Sequence, residues 1–334
     1  MNKAAKITVF CLAVLSIITS CGDHDESSPY SEILSKAPFA GLTDSIRIQP
    51  DDAELYYRRA LLLNDNNFPE PALADYRKAW SLKKDEYYAL GISTLLLERK
   101  PDSAVSFLNE AIKELPNSLS LRLNLARSLN AMNKTDEAIA ICMDILKQNP
   151  AQVDVLKMTA ELLEKKGNHS EGIALLERAY NLVPSDVELN YMLALRYAEN
   201  KNPKVLSLCD SLIRADSSGE RAEPYYYKGI YYSGINEKNK ALTFFDEAVK
   251  HNYNMLEGYI EKGSILFEMK KYNEALKVFN LLLNISPEYP DSYYWIAKCQ
   301  QALGQKEEAK LNYQRAYGLD NTFKEAKDSA DKLK

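Results

Sequence analysis

The sequence predicts an all-α chain, a linear stack of about eight helical hairpins with a half-repeat at its start and a capping helix at its end. The residues that open the second helix of each hairpin, Ala72, Ala104, Ala138, Gly172, Leu206, Ala241, Ala275 and Ala309, are spaced by 32, 34, 34, 34, 35, 34 and 34 positions. A fixed period of this size marks a repeat architecture, because one hairpin cannot bury its own apolar face and must stack on the next. Twelve residues earlier, or thirteen in the second unit, stands a small residue: Ala60, Gly91, Ala126, Ala160, Ala194, Gly229, Gly263 or Ala297. Anything larger than a methyl there would hold the two helices of a hairpin apart. Four and seven residues after the opening position, pairs such as Tyr76/Ala79, Leu108/Ala111, Phe245/Ala248 and Tyr313/Ala316 place a large knob and a small hole on one helix face.

At the start of the chain, Lys3 and Lys6 precede an apolar run of 13 residues, Ile7 to Thr19. This is the layout of a secretory signal covering residues 1–20, and it falls short of the ~20 helical residues that cross a bilayer. The run closes in Ile18-Thr19-Ser20-Cys21, which resembles the bacterial lipobox. The resemblance implies that Cys21 is lipidated and becomes the mature N-terminus, and several acyl chains make a lasting membrane anchor. Residues 21–29 are polar and acidic and read as a flexible tether. An acidic stretch at this place resembles Bacteroidetes-type lipoproteins, which implies a cell-envelope, outer-membrane location on either the periplasmic or the surface face.

Residues 30–50 read as a degenerate half-repeat, in which Pro38 to Ile48 form a solitary second helix with Leu42 and Ser45 in the packing slots. The repeats then run from 53 to 322, with boundaries at 53–86, 87–118, 119–152, 153–186, 187–221, 222–255, 256–289 and 290–322. Pro116, Pro150, Pro184 and Pro287 end second helices, since proline lacks the N–H that continuation needs. Over 322–334, Phe323, Ala326, Ala330 and Leu333 recur at helical spacing among lysines, as a polar-faced cap requires. In its period and its small and large slots the array resembles the tetratricopeptide repeat (TPR) family, and the whole chain resembles a TPR lipoprotein. That resemblance implies a right-handed α-solenoid whose first helices line a concave groove.

The fifth repeat departs most, carrying Leu206, Asp210 and Ile213 in the packing slots behind Asn202-Pro203, and looser packing is expected there. Cys142, Cys209 and Cys299 lie in different repeats at no metal or redox spacing and read as small core residues. The histidines His24, His169 and His251 are scattered and no catalytic motif occurs, so neither enzyme activity, a cofactor nor a metal is expected. The acids Asp51-Asp52, Asp85-Glu86 and Glu307-Glu308 precede or open helices, where the macrodipole favours negative charge. Removal of residues 1–20 leaves 40 basic and 47 acidic residues, a formal charge of −7. Such a surface repels nucleic acid.

On the groove that the family resemblance implies, the residue three before each small position is Tyr57, Tyr88, Leu123, Lys157, Tyr191, Tyr226, Ile260 or Tyr294. One position after the small residue, Leu61, Ile92, Arg127, Glu161, Leu195, Ile230, Ser264 and Lys298 follow on the same face. The candidate groove residues are therefore Tyr57, Tyr88, Arg127, Lys157, Tyr191, Tyr226 and Tyr294, with one tyrosine of each Tyr-Tyr pair in the groove and its neighbour (Tyr56, Tyr87, Tyr225, Tyr293) in the core. Tyrosine offers broad apolar contact with few rotatable bonds and a hydroxyl, which suits a peptide or protein partner of identity the sequence leaves open. The expected function is a membrane-anchored adaptor. The alternatives are a structural subunit of an envelope assembly or secretion complex, and a glycan or small-ligand binding lipoprotein. Oligomeric state is not legible.

Overall fold

The computed structural model describes residues 29–333, so the signal segment, Cys21 and the tether up to Ser28 lie outside the described residues. Among the described residues there are 19 helices and no strand, and no helix is long and apolar enough to cross a membrane. The chain forms two compact units that divide between Ile145 and Leu146.

In the first unit, α1 (Ser31–Leu34) and α2 (Ala40–Ile48) precede the hairpins α3 (Ala53–Asp65)/α4 (Pro69–Leu82) and α5 (Glu86–Arg99)/α6 (Pro101–Glu114). Then come α7 (Leu119–Ala131) and α8 (Thr135–Gln148), the last carrying the boundary. Each helix packs on its successor from α2 to α7, and α5 also packs on α7. The buried face of the half-repeat is Phe39, Thr43 and Ile46, one position away from the expected Leu42 and Ser45. The shift lets the Thr43 hydroxyl reach the Leu34 carbonyl at 2.9 Å, which closes α1 onto α2.

The second unit holds α9 (Val153–Lys165)/α10 (His169–Leu182), α11 (Val187–Glu199)/α12 (Lys204–Ala215) and α13 (Glu223–Gly234)/α14 (Lys238–His251). It continues with α15 (Leu256–Glu268)/α16 (Tyr272–Ile285), α17 (Pro290–Ala302)/α18 (Lys306–Leu319) and the final α19 (Lys324–Lys332). First helices lie side by side, α11 on α13, α13 on α15 and α15 on α17. The small positions and the holes are sealed: Ala160, Ala179, Ala194, Ala241, Ala275 and Ala309 are at most 1% exposed.

The period has a local cause. Seven of the eight intra-hairpin turns pass through one left-handed residue, Asn67, Asn133, Gly167, Lys201, Asn236, Lys270 or Gly304, with φ between 55° and 81°. The next N–H then bonds back five residues, as from Phe68 to the Leu63 carbonyl (2.9 Å) and from Gln305 to that of Gln300 (2.9 Å). This Schellman closure satisfies carbonyls at the helix end and goes with a turn of three residues, or four before α12. The second hairpin has no such residue. Lys100 alone separates α5 from α6, and this short turn underlies the 32-residue spacing. Four of the eight first helices, α3, α5, α7 and α11, begin on side-chain caps, where Asp52, Asp85, Ser118 and Asp186 accept from backbone N–H groups at 2.9–3.1 Å.

The fifth repeat is not loosened. Val205, Cys209 and Leu212 fill its packing slots and are 0%, 0% and 4% exposed, one residue earlier than the expected Leu206, Asp210 and Ile213. Pro203 supplies no N–H, and α12 opens on tight bonds three residues long, Val205 to the Asn202 carbonyl and Leu206 to that of Pro203. Three-residue bonds overwind a helix and turn its face. Asp210 is thereby freed from the core and pairs with Lys228.

Candidate functional site

Burial and hydroxyl chemistry divide the candidate tyrosines into two groups. Tyr88 and Tyr294 are packing residues, which corrects their place in the groove. Tyr88 is 3% exposed, lies 5.0 Å from the Tyr57 ring, and its hydroxyl donates to Glu54 at 3.4 Å. Burial, and then the Glu54 charge, push its pKa up to about 12. The thirteenth residue of the second repeat causes this: counted twelve back from Ala104, the small slot falls on Ile92. Tyr88 then takes the core position that Leu156 and Tyr259 hold in other hairpins. Its neighbour Tyr87, expected in the core, is 67% exposed instead. Tyr294 is 6% exposed because the capping segment covers it, with the Phe323 ring 4.8 Å away and Glu325 accepting its hydroxyl proton.

Tyr57, Tyr191 and Tyr226 are half-buried. In the first unit, Tyr57 packs at 6.0 Å from Tyr76, and its pKa is raised by burial and then by Glu54. In the second unit, Tyr191 and Tyr226 join through Tyr227, with ring centroids 6.3 Å and 6.0 Å apart, and Tyr226 rests on Phe245 at 5.7 Å. Tyr227 was not singled out from the sequence, although the triplet Tyr225-Tyr226-Tyr227 was a usable signal: three consecutive residues span 200° of a helix, so two can share a face. Burial raises the pKa of Tyr191 and Tyr226 and brings that of Tyr227 to about 12. None of these three hydroxyls has a hydrogen-bond partner among the described residues, unlike Tyr197, which donates to Glu177 at 2.6 Å.

The two charged candidates are held by their neighbours. Arg127 is exposed and donates to Asn124 Oδ1 at 3.0 Å, while Asn124 Nδ2 donates to the Ser93 hydroxyl at 3.1 Å and so ties α7 to α5. Lys157 pairs with Glu188, and that hydrogen bond raises its pKa. Beside α9 and α11 a polar cleft of about 620 Å³ is lined by Glu161, Glu164, Lys165, His169, Arg196 and Glu199. Glu164 meets His169 Nδ1 at 2.6 Å and Arg196 at 4.0 Å, so the cleft is bridged by its own side chains. The three cysteines are buried, and burial pushes the thiols of Cys209 and Cys299 up to about 12, as befits core residues. Among the described residues, no group of three His, Cys, Asp or Glu side chains is placed to hold a metal ion.

Paired helices in register, sealed small positions and stacked first helices define a helical repeat protein. Tetratricopeptide repeats are recognised in part of the chain: family models for the tetratricopeptide repeat match residues 95–162 and 290–323, and a TPR repeat model matches 263–304. The chain is 26% identical over 235 residues to the TPR repeat-containing protein YpiA of Bacillus subtilis, covering 69% of this chain and 55% of that protein. It is 29% identical over 199 residues to the interferon-induced protein with tetratricopeptide repeats 2 of Cricetulus griseus, covering 59% and 40%. It is 25% identical over 223 residues to the Hsp70-Hsp90 organizing protein of Triticum aestivum, covering 66% and 33%. The chain thus spans a third to about half of these relatives' length. Among solved structures, a tetratricopeptide repeat protein from Parabacteroides merdae aligns with a TM-score of 0.59 at 16% identity, over 73% of this chain and 96% of that one. That likeness is one of fold.

Proposed function

We propose that this protein is a lipid-anchored adaptor of the outer membrane that binds a protein or peptide partner on the surface made by α11, α13 and α15. One observation carries the reading: Tyr191, Tyr226 and Tyr227 form a contiguous, half-buried ring cluster whose hydroxyls have no internal partner. Tyr88 and Tyr294, by contrast, direct their hydroxyls at Glu54 and Glu325. Rings left half in water with free hydroxyls are the residue type that anchors binding interfaces. A peptide or protein as the ligand gains support from the relative named Hsp70-Hsp90 organizing protein. The anchor rests on Ile18-Thr19-Ser20-Cys21 and the acidic residues after it.

Crosslinking and mass spectrometry in the native envelope tests the surface. Crosslinks to a partner are expected to concentrate on α11, α13 and α15. The double variant Tyr191→Ala/Tyr226→Ala is expected to reduce them at least tenfold while the helical circular dichroism stays native. An unchanged partner set would overturn the reading. For the anchor, intact-mass analysis is expected to find a mature N-terminal Cys21 bearing a diacylglycerol; an unmodified Cys21 thiol on a chain retained in the cytoplasmic fraction would sink it.

A further inference from the structure

The charges around the tyrosine cluster specify its partner more narrowly. Each of the three first helices carries one cation, and each cation is already committed to an acid. Arg196 of α11 holds Glu199 at 2.7 Å. Lys228 of α13, only 8% exposed, pairs with Asp210 of α12, and Lys262 of α15 pairs with Asp246 of α14. Of the acids on these helices, Glu188 pairs with Lys157, and Glu268 with Lys238 at 3.0 Å. Glu223, Glu257 and Glu261 have no ion-pair or side-chain hydrogen-bond partner among the described residues.

These three carboxylates sit with the tyrosines. Glu223 lies one helical turn before Tyr226 and Tyr227 on α13, and Glu257 and Glu261 share one face of the neighbouring α15. After burial itself, Glu261 and Glu257 are the charges that most raise the Tyr226 pKa, and Glu223 does the same for Tyr227. Glu261 is half-buried, and that burial, followed by the Glu268 charge, raises its own pKa. A carboxylate taken partly out of water with no counter-ion is held at a cost that an incoming cation removes.

We infer that the surface of α11, α13 and α15 docks a basic peptide segment, whose lysine or arginine side chains lie over Tyr226 and Tyr227 and pair with Glu223, Glu257 and Glu261. This rests on the adaptor reading above and narrows it to a partner of positive charge. The chain supplies an internal example of the geometry: on α17, Lys298 lies 4.4 Å from the Trp295 ring centroid and 5.2 Å from that of Tyr294. Guanidinium and ammonium groups favour such ring faces, and the added carboxylates make each contact charge-assisted.

The test is fluorescence anisotropy with the detergent-solubilised full-length protein and two labelled probes, a ten-residue alternating Lys-Ala peptide and its Glu-Ala counterpart. The Lys-Ala peptide is expected to bind saturably with one site and the Glu-Ala peptide not at all. Glu223→Gln/Glu257→Gln/Glu261→Gln is expected to weaken binding at least tenfold, about 1.4 kcal/mol. A control, Glu307→Gln/Glu308→Gln, removes two exposed acids from α18 and is expected to change it less than twofold. Equal losses in the triple variant and the control would mean diffuse attraction to an acidic chain and would overturn the inference, as would equal binding of the Glu-Ala peptide or no binding of the Lys-Ala one. The two readings fail separately. If the native partner is lost in Tyr191→Ala/Tyr226→Ala but kept in the triple Gln variant, the surface stands and the basic partner does not.

Discussion

Replacing Arg59 by alanine is expected to destabilise the first unit by about 3–5 kcal/mol, the range for removing one partner of a buried ion pair. Arg59 and Asp75 join α3 to α4, with side chains 4% and 8% exposed. The guanidinium meets the carboxylate as a fork, Nε to Oδ2 at 2.6 Å and Nη2 to Oδ1 at 2.8 Å. Its remaining arm donates to the Thr43 hydroxyl at 2.9 Å, and that hydroxyl donates to the Leu34 carbonyl. One guanidinium thus ties the half-repeat to the first hairpin, and its loss removes both fork bonds from a buried carboxylate. The double variant Arg59→Met/Asp75→Leu removes both charges and fills the space, so it is expected to cost less than either single change and can even stabilise. Urea unfolding of the three variants decides between charge and packing. If the double variant were the most destabilised of the three, packing and not charge would be the cause. Hydrogen exchange in Arg59→Ala should rise first in α2 and α3, because in a repeat array each unit leans only on its neighbours.

That network was not legible in the sequence, and the reason is instructive. Arg59 precedes the small Ala60, a position where other hairpins carry Leu125, Thr159 or Leu193 but also Lys228 and Lys262, which pair with acids of the preceding second helix, and Asp75 lies on the second helix between Ala74 and Tyr76. Nothing in either helix says that two charges sixteen positions apart turn toward each other. The period was legible because it is local: turns with one left-handed residue, in seven of the eight units, and small residues where helices touch leave a mark along the chain. Rotation about a helix axis was less so. One residue turns a helix by 100°, so the thirteenth residue of the second repeat moved Tyr88 into the core. The tight start of α12 likewise moved the fifth repeat's face by one position. Tyr191 and Tyr226 lie in repeats of regular length before their small residues, and there counting back from alanine or glycine gave the half-exposed rings. What counting could not give is the charge state of the neighbourhood, since it depends on which cations point toward second helices.

Sequence also left open why some small positions are glycine and others alanine. At Gly229 and Gly263 the structure supplies a reason, and the second large effect follows from it. A Cβ built on Gly263 would lie 2.4 Å from Cε1 and Cζ of the Phe279 ring, and one on Gly229 would lie 2.6 Å from Phe245. An aromatic ring fills the space of the methyl. Phe279 is fully buried and its ring stacks on Trp295 at 5.5 Å, so it cannot withdraw without breaking a second contact. Truncation by Phe279→Ala is therefore expected to cost about 3–5 kcal/mol in the second unit, from lost transfer energy and the cavity left behind. Gly263→Ala acts on the same contact from the other side. Alanine in a helix interior is favoured over glycine by about 1 kcal/mol, yet overpacking costs about 1–3 kcal/mol, and the net sign is expected to be destabilising. Gly318, within α18, has nothing within 4 Å of its Cβ position, so Gly318→Ala should stabilise by up to about 1 kcal/mol. The same substitution at two helical glycines is thus expected to give opposite signs in urea unfolding. Coupling Gly263→Ala with Phe279→Leu should recover part of the loss, because the added methyl then occupies space the ring has left. Stabilisation by Gly263→Ala alone would mean that the ring moves freely and that close approach does not select glycine here.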